Sequence, residues 1–153
     1  MRSLIGGRQR FGALGVAVTL AVVLAAVPGA GAVQVPPGAE KVSGPFGLKL
    51  LQPPGSMTCD EQRVVVGVRA SAASRRAGVY AVRVWTANAD GHGNLSHDNR
   101  LFKGRDLRAG RWEFGSVETH PCGRKFAVRY DVYVRAASGA RHIKKVLFSV
   151  TSS

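Results

Sequence analysis

The densest run of side chains able to do chemistry is Asn88-Ala89-Asp90-Gly91-His92-Gly93-Asn94-Leu95-Ser96-His97-Asp98-Asn99. Asn88, Asp90 and Asp98 offer the hard oxygen donors that calcium takes, and Asp90-Gly91 suits the sharp turn of a calcium loop. The match is partial. In that register the first ligand position falls on Thr86 and the bidentate acid position on His97. His92 and His97 add imidazoles for a transition metal, five residues apart on a loop. The same residue types also build a solvated turn, which needs no ion.

Catalytic groups are present but not arranged in a motif. A hydrolase needs a nucleophile placed by a base, or two carboxylates facing across a cleft. The chain has four histidines and nine acidic residues, yet none falls in such a pattern, and it carries no Gly-rich phosphate loop or zinc signature. A binding protein that needs no cofactor is the better reading, with a small extracellular enzyme as the alternative class.

Charge points to the partner. Lys and Arg number 22 against nine acids, a formal charge of +13. Such an excess draws in anionic partners at long range, though it also serves plain solubility. Wall-linked phosphate polymers and anionic lipid headgroups fit, carbohydrate is a further candidate, and nucleic acid would be held only non-specifically.

Residues 1–32 read as an export signal. Arg2, Arg8 and Arg10 precede an apolar run from Phe11 to Val27, and Ala30-Gly31-Ala32 supplies small residues for cleavage. Gly12, Gly15, Thr19 and the break at Pro28-Gly29 dilute that run below what a spanning helix needs. Cleavage would leave residues 33–153, with no transmembrane segment and a charge of about +10, as a secreted monomer, extracellular or attached to the wall. Residues 33–43, with Pro36-Pro37-Gly38, read as a flexible leader, and 44–153 as one domain. In an oxidising compartment Cys59 and Cys122, the two cysteines of the chain, read as a disulfide. It would close a loop of about 63 residues.

The elements that position these groups are strands. Alternation of apolar and polar residues predicts seven. They are Phe46–Leu51, Arg63–Ala70, Val79–Thr86, a short edge strand at Arg100–Lys103, Arg111–Val117, Phe126–Arg135 and His142–Val150. Inward faces are assigned to Phe46, Leu48 and Leu50, to Val64, Val66 and Val68, to Tyr80, Val82 and Val84, to Trp112 and Phe114, and to alternate residues from Phe126 to Val134. A change of parity between Ile143 and Val146 predicts a bulge near Lys144-Lys145. Ser74-Arg75-Arg76 falls on the loop after the second strand.

Short alternating strands without intervening helices make an all-β chain, an antiparallel β-sandwich of about seven strands with one disulfide. Over Phe46 to Val150 the pattern resembles an immunoglobulin-like or fibronectin-like domain, with Cys59 and Cys122 just ahead of the second and sixth strands. It departs from true immunoglobulin domains, whose cysteines lie inside the strands and whose third-strand tryptophan is in the core. That topology implies that the third, sixth and seventh strands share a sheet. Its outward parity then gathers Arg83, Trp85, Arg129, Tyr133 and Arg135, with Lys145 and Leu147 beside them. Cations among exposed rings suit polyanions and sugars. Two competing expectations are that Asp131 pairs with a neighbouring arginine, or that the 88–99 loop covers Trp85. A secreted protease inhibitor is a further alternative, with the disulfide stiffening His120-Pro121-Cys122, although subtilisin-inhibitor-type proteins carry two bridges.

Overall fold

A computed structural model describes residues 34–119 and 122–153. The expected export signal lies outside the described residues. Among them, no helix is long and apolar enough to cross a membrane.

Among the described residues, nine strands form two sheets that curl into a partly closed sandwich. They are β1 (Glu40–Ser43), β2 (Lys49–Gln52), β3 (Ser56–Met57), β4 (Arg63–Arg69), β5 (Val79–Asn88), β6 (Arg100–Lys103), β7 (Trp112–Glu118), β8 (Lys125–Arg135) and β9 (Arg141–Ser152). One sheet runs β1-β2-β4-β7 and the other β3-β9-β8-β5-β6. All pairs are antiparallel except β3 with β9. The third, sixth and seventh expected strands, β5, β8 and β9, do share a sheet, and β6 is its edge.

The start of the domain differs from expectation. Glu40–Ser43, at the end of the expected leader, pairs with β2. Pro45-Phe46-Gly47 is a 3-10 turn between them and not the start of a strand. Proline fixes one φ there, and Phe46 and Gly47 take positive φ values of 57° and 73°. Phe46 is therefore 40% exposed, while Leu48 and Leu50 are buried as expected. After β2, Pro53-Pro54 cannot continue the ladder, and the chain crosses to the other sheet as β3.

The core interleaves aliphatic side chains of both sheets with rings from the five-stranded one. Val64, Val66 and Val68 of β4 face Val82 and Val84 of β5 and the run Phe126, Val128, Tyr130 and Val132 of β8, all at most 4% exposed. Two expectations about parity fail. Trp112 and Phe114 lie on the outer face of the four-stranded sheet, stacked with ring centroids 5.6 Å apart. The β4–β7 register sets Val64 opposite Val117 and Val66 opposite Gly115, so Phe114 falls opposite Gly67 on the other side. A Cβ at Gly67 would come within 2.6 Å of the Phe114 ring, so glycine makes the seat for it.

The expected bulge in β9 is absent, since β8 and β9 pair without interruption from Lys125–Thr151 to Arg135–Arg141. Ile143 consequently points outward and is 53% exposed. The irregularity sits in β5 instead, between Val79 and Ala81. It turns Tyr80 from the expected core face to the outer one, where it meets Tyr133. Ser74-Arg75-Arg76 belongs to a one-turn helix, α1 (Ala72–Arg76), with Ser71 as its cap.

Cys59 and Cys122 are bonded. Cys59 lies between β3 and β4 and Cys122 between β7 and β8, and each of those connections passes from one sheet to the other. The bridge thus ties two crossovers at the end of the sandwich where β4 and β8 begin.

Candidate functional site: the outer face of the five-stranded sheet

From Ala81 onward on β5, and along β8 and β9, residues of odd number face outward, and the registers align them in rows. Ile143, Tyr133, Ala81 and Lys103 form one row, Lys145, Asp131, Arg83 and Leu101 the next, and Leu147, Arg129 and Trp85 a third. All five residues expected at a binding face, Arg83, Trp85, Arg129, Tyr133 and Arg135, are brought onto this surface or its margin.

Cations and rings alternate across it. The Arg83 guanidinium lies 6.0 Å from the centroids of both Trp85 and Tyr133. Tyr133 sits 6.1 Å from Tyr80, and Arg135 lies 5.4 Å from Tyr80. Arg129 covers Trp85 at 4.8 Å. These are distances at which a ring quadrupole attracts a cation. A shallow hollow of about 300 Å³ opens among Tyr80, Ala81, Arg83, Leu101, Lys103 and Tyr133. Tyr80 and Lys103 were missed by sequence reasoning: the first is delivered by the β5 bulge, the second by the β5–β6 register.

The arginines are not equivalent. Arg129 donates from Nε and Nη2 to the two Asp131 oxygens at 2.8 and 2.9 Å, and from Nη1 to the Gly91 carbonyl at 2.8 Å. The hydrogen bonds to Asp131, with its charge, hold the Arg129 pKa above its ordinary value against the opposing effect of burial. All three of its nitrogens are engaged, and it acts as a strut between β8 and the 88–93 turn. The expected pairing of Asp131 with a neighbouring arginine is therefore real, but it takes one arginine only. Asp131 stands opposite Arg83 in register yet turns to Arg129. Arg83 has no carboxylate partner among the described residues, and neither its Nε nor the Trp85 Nε1 has an acceptor.

The 88–99 loop borders this face without closing it. Gly91 is buried against Leu147, where an added Cβ would come within 2.6 Å of that side chain. Trp85 remains half-buried, walled by Arg129 on one side.

Asp90 and Asp98 are engaged by different partners. Asp90 Oδ1 accepts from the His92 N–H at 2.9 Å, closing a local turn. Asp98 accepts from Arg63 Nη2 of β4 at 2.7 Å. Asn88 and His92 exchange no side-chain bond; the Asn88 backbone N–H donates to the His92 carbonyl at 3.0 Å. Among the described residues no three His, Cys, Asp or Glu side chains converge as metal ligands. Of the inhibitor loop, His120 and Pro121 lie outside the described residues, and Cys122 is held by its bridge.

Compared with known proteins, the chain matches no family model, no curated protein and no solved structure.

Proposed function

We propose that this protein is a secreted, non-catalytic binding module that holds an anionic polymer or acidic carbohydrate of the cell envelope on the outer face of β6-β5-β8-β9. The observation that carries the reading is Arg83, a cation without a carboxylate partner set between Trp85 and Tyr133. Sugar rings stack on half-exposed aromatics, while phosphate and carboxylate accept from guanidinium and ammonium groups. The face supplies both, with Arg135, Lys103 and Lys145 at its margins. The charge of about +10 that cleavage would leave adds long-range attraction. The strand order, with β6 beside β5, suits a fibronectin-like member of the sandwich class. Export rests on the sequence of residues 1–32.

Co-sedimentation with purified anionic wall polymer tests the reading. Retention should fall steeply as salt rises, because exposed charges are screened within about 10 Å at 0.1 M. Retention that is absent, or indifferent to salt, contradicts it.

A further inference from the structure

The five-stranded sheet has an edge that its own chain covers only at one end. β3 lies along β9 at Ser56–Met57, opposite Thr151 and Ser152. There the Thr151 N–H donates to the Gly55 carbonyl at 3.0 Å and the Ser153 N–H to the Met57 carbonyl at 3.1 Å. Towards Arg141, among the described residues, no strand continues that ladder. The direction of the free groups follows from the register. Ser152 bonds towards β8, through Arg124, so even residues of β9 face β8 and odd residues face the edge. Ile143, Lys145, Leu147 and Ser149 therefore present N–H and C=O to the outside, in a regular ladder with no bulge or proline.

Most natural edges are shortened, bulged or covered. This one is long, and two of the large exposed apolar side chains, Ile143 at 53% and Leu147 at 44%, stand on it. On the core side, Val146 and Phe148 are only partly buried. Arg141, His142, Lys144 and Lys145 are all exposed along the same stretch. Asp131, which lies opposite Lys145, is already committed to Arg129.

We propose that β9 is a docking site for an extended acidic segment of another protein, added as a further strand to the sheet. Main-chain bonds to Ile143, Lys145, Leu147 and Ser149 supply affinity, and alternate side chains supply specificity. In such a strand, residues turned outward meet Arg141 and Lys145 and favour carboxylates. Those turned to the core side cover Val146 and Phe148 and favour apolar groups. A second copy of this chain is disfavoured, because pairing two β9 edges sets their cationic stretches side by side. This site adjoins the anion-binding face and shares Lys145 with it, but its affinity rests on a free backbone edge, whereas that face rests on side chains.

The probe is a synthetic peptide alternating Glu and Val, followed by fluorescence anisotropy and amide hydrogen exchange, beside the same peptide N-methylated at alternate residues. Strand addition predicts protection of the Ile143, Lys145, Leu147 and Ser149 amides and at least about a tenfold loss of affinity on N-methylation, about 1.4 kcal/mol. In the protein, Ile143→Pro removes an edge donor without removing a β8 bond and should weaken the peptide comparably. Arg83→Ala should leave peptide affinity unchanged. Equal binding of the methylated peptide would show simple charge attraction and overturn the proposal. So would absence of binding, or binding without protection of those four amides.

Discussion

The phenolic hydroxyl of Tyr130 donates to the Leu51 carbonyl across the sandwich at 2.7 Å. The same oxygen accepts from the Gly67 N–H at 3.3 Å. Pairing of β2 with β4 stops at Leu50–Val68, one residue before Leu51 and Gly67 would meet. A side chain from the opposite sheet thus completes the ladder where two strands part. It also fixes the height of β8, whose other face carries Arg129, Asp131 and Tyr133.

Tyr130→Phe strips that bridge and leaves two backbone groups buried without a partner. The expected loss is about 1–3 kcal/mol. Chemical denaturation should show a lower midpoint at an unchanged slope.

Alkaline pH acts through the same group. Burial pushes the Tyr130 phenol above its ordinary value, outweighing the opposing effect of its hydrogen bond with Gly67. The folded chain keeps this proton where the unfolded chain, with a pKa of about 10, gives it up. Its contribution is complete below about pH 10 and declines as pH rises further. Denaturation measured across that range should show a downward slope that Tyr130→Phe reduces.

Asp131→Ala leaves the largely buried Arg129 guanidinium without its counter-ion. A loss of about 3 kcal/mol is expected. The joint replacement Arg129→Leu with Asp131→Val should lose less than Asp131→Ala, which thermal melting of the three proteins would show.

How much of this was legible in the sequence depended on what set each strand's parity. β8 alternates without a break from Phe126 to Val134 and lies between two neighbours, so its buried side could be read directly. The β5 bulge leaves no mark in the apolar pattern, so Tyr80 could not be placed. Trp112 and Phe114 misled because large rings suggest burial, whereas the valines of β4 decide the register and Gly67 offers an outer seat. The gathering of Arg83, Trp85, Arg129, Tyr133 and Arg135 on one outer face was largely foreseen because it follows from parity on well-patterned strands. That Arg129 is a strut and Arg83 free could not be foreseen, since either arginine could have taken Asp131 by spacing alone.

The disulfide joins residues 63 positions apart. Restricting that loop in the unfolded chain is worth about 4 kcal/mol. Cys59→Ala with Cys122→Ala should lower the denaturation midpoint accordingly and leave the outer face of the five-stranded sheet able to bind at temperatures where the variant is folded.

The proposed role of Arg83 and the rings beside it is to hold an anionic ligand. Its most direct test is the affinity of the wild-type protein and of Arg83→Ala with Tyr133→Ala for one purified anionic wall polymer, by titration calorimetry at low salt, with melting curves alongside. At least about a tenfold loss of affinity, about 1.4 kcal/mol, is expected in a variant that still melts cooperatively. Equal affinity in a folded variant would contradict it.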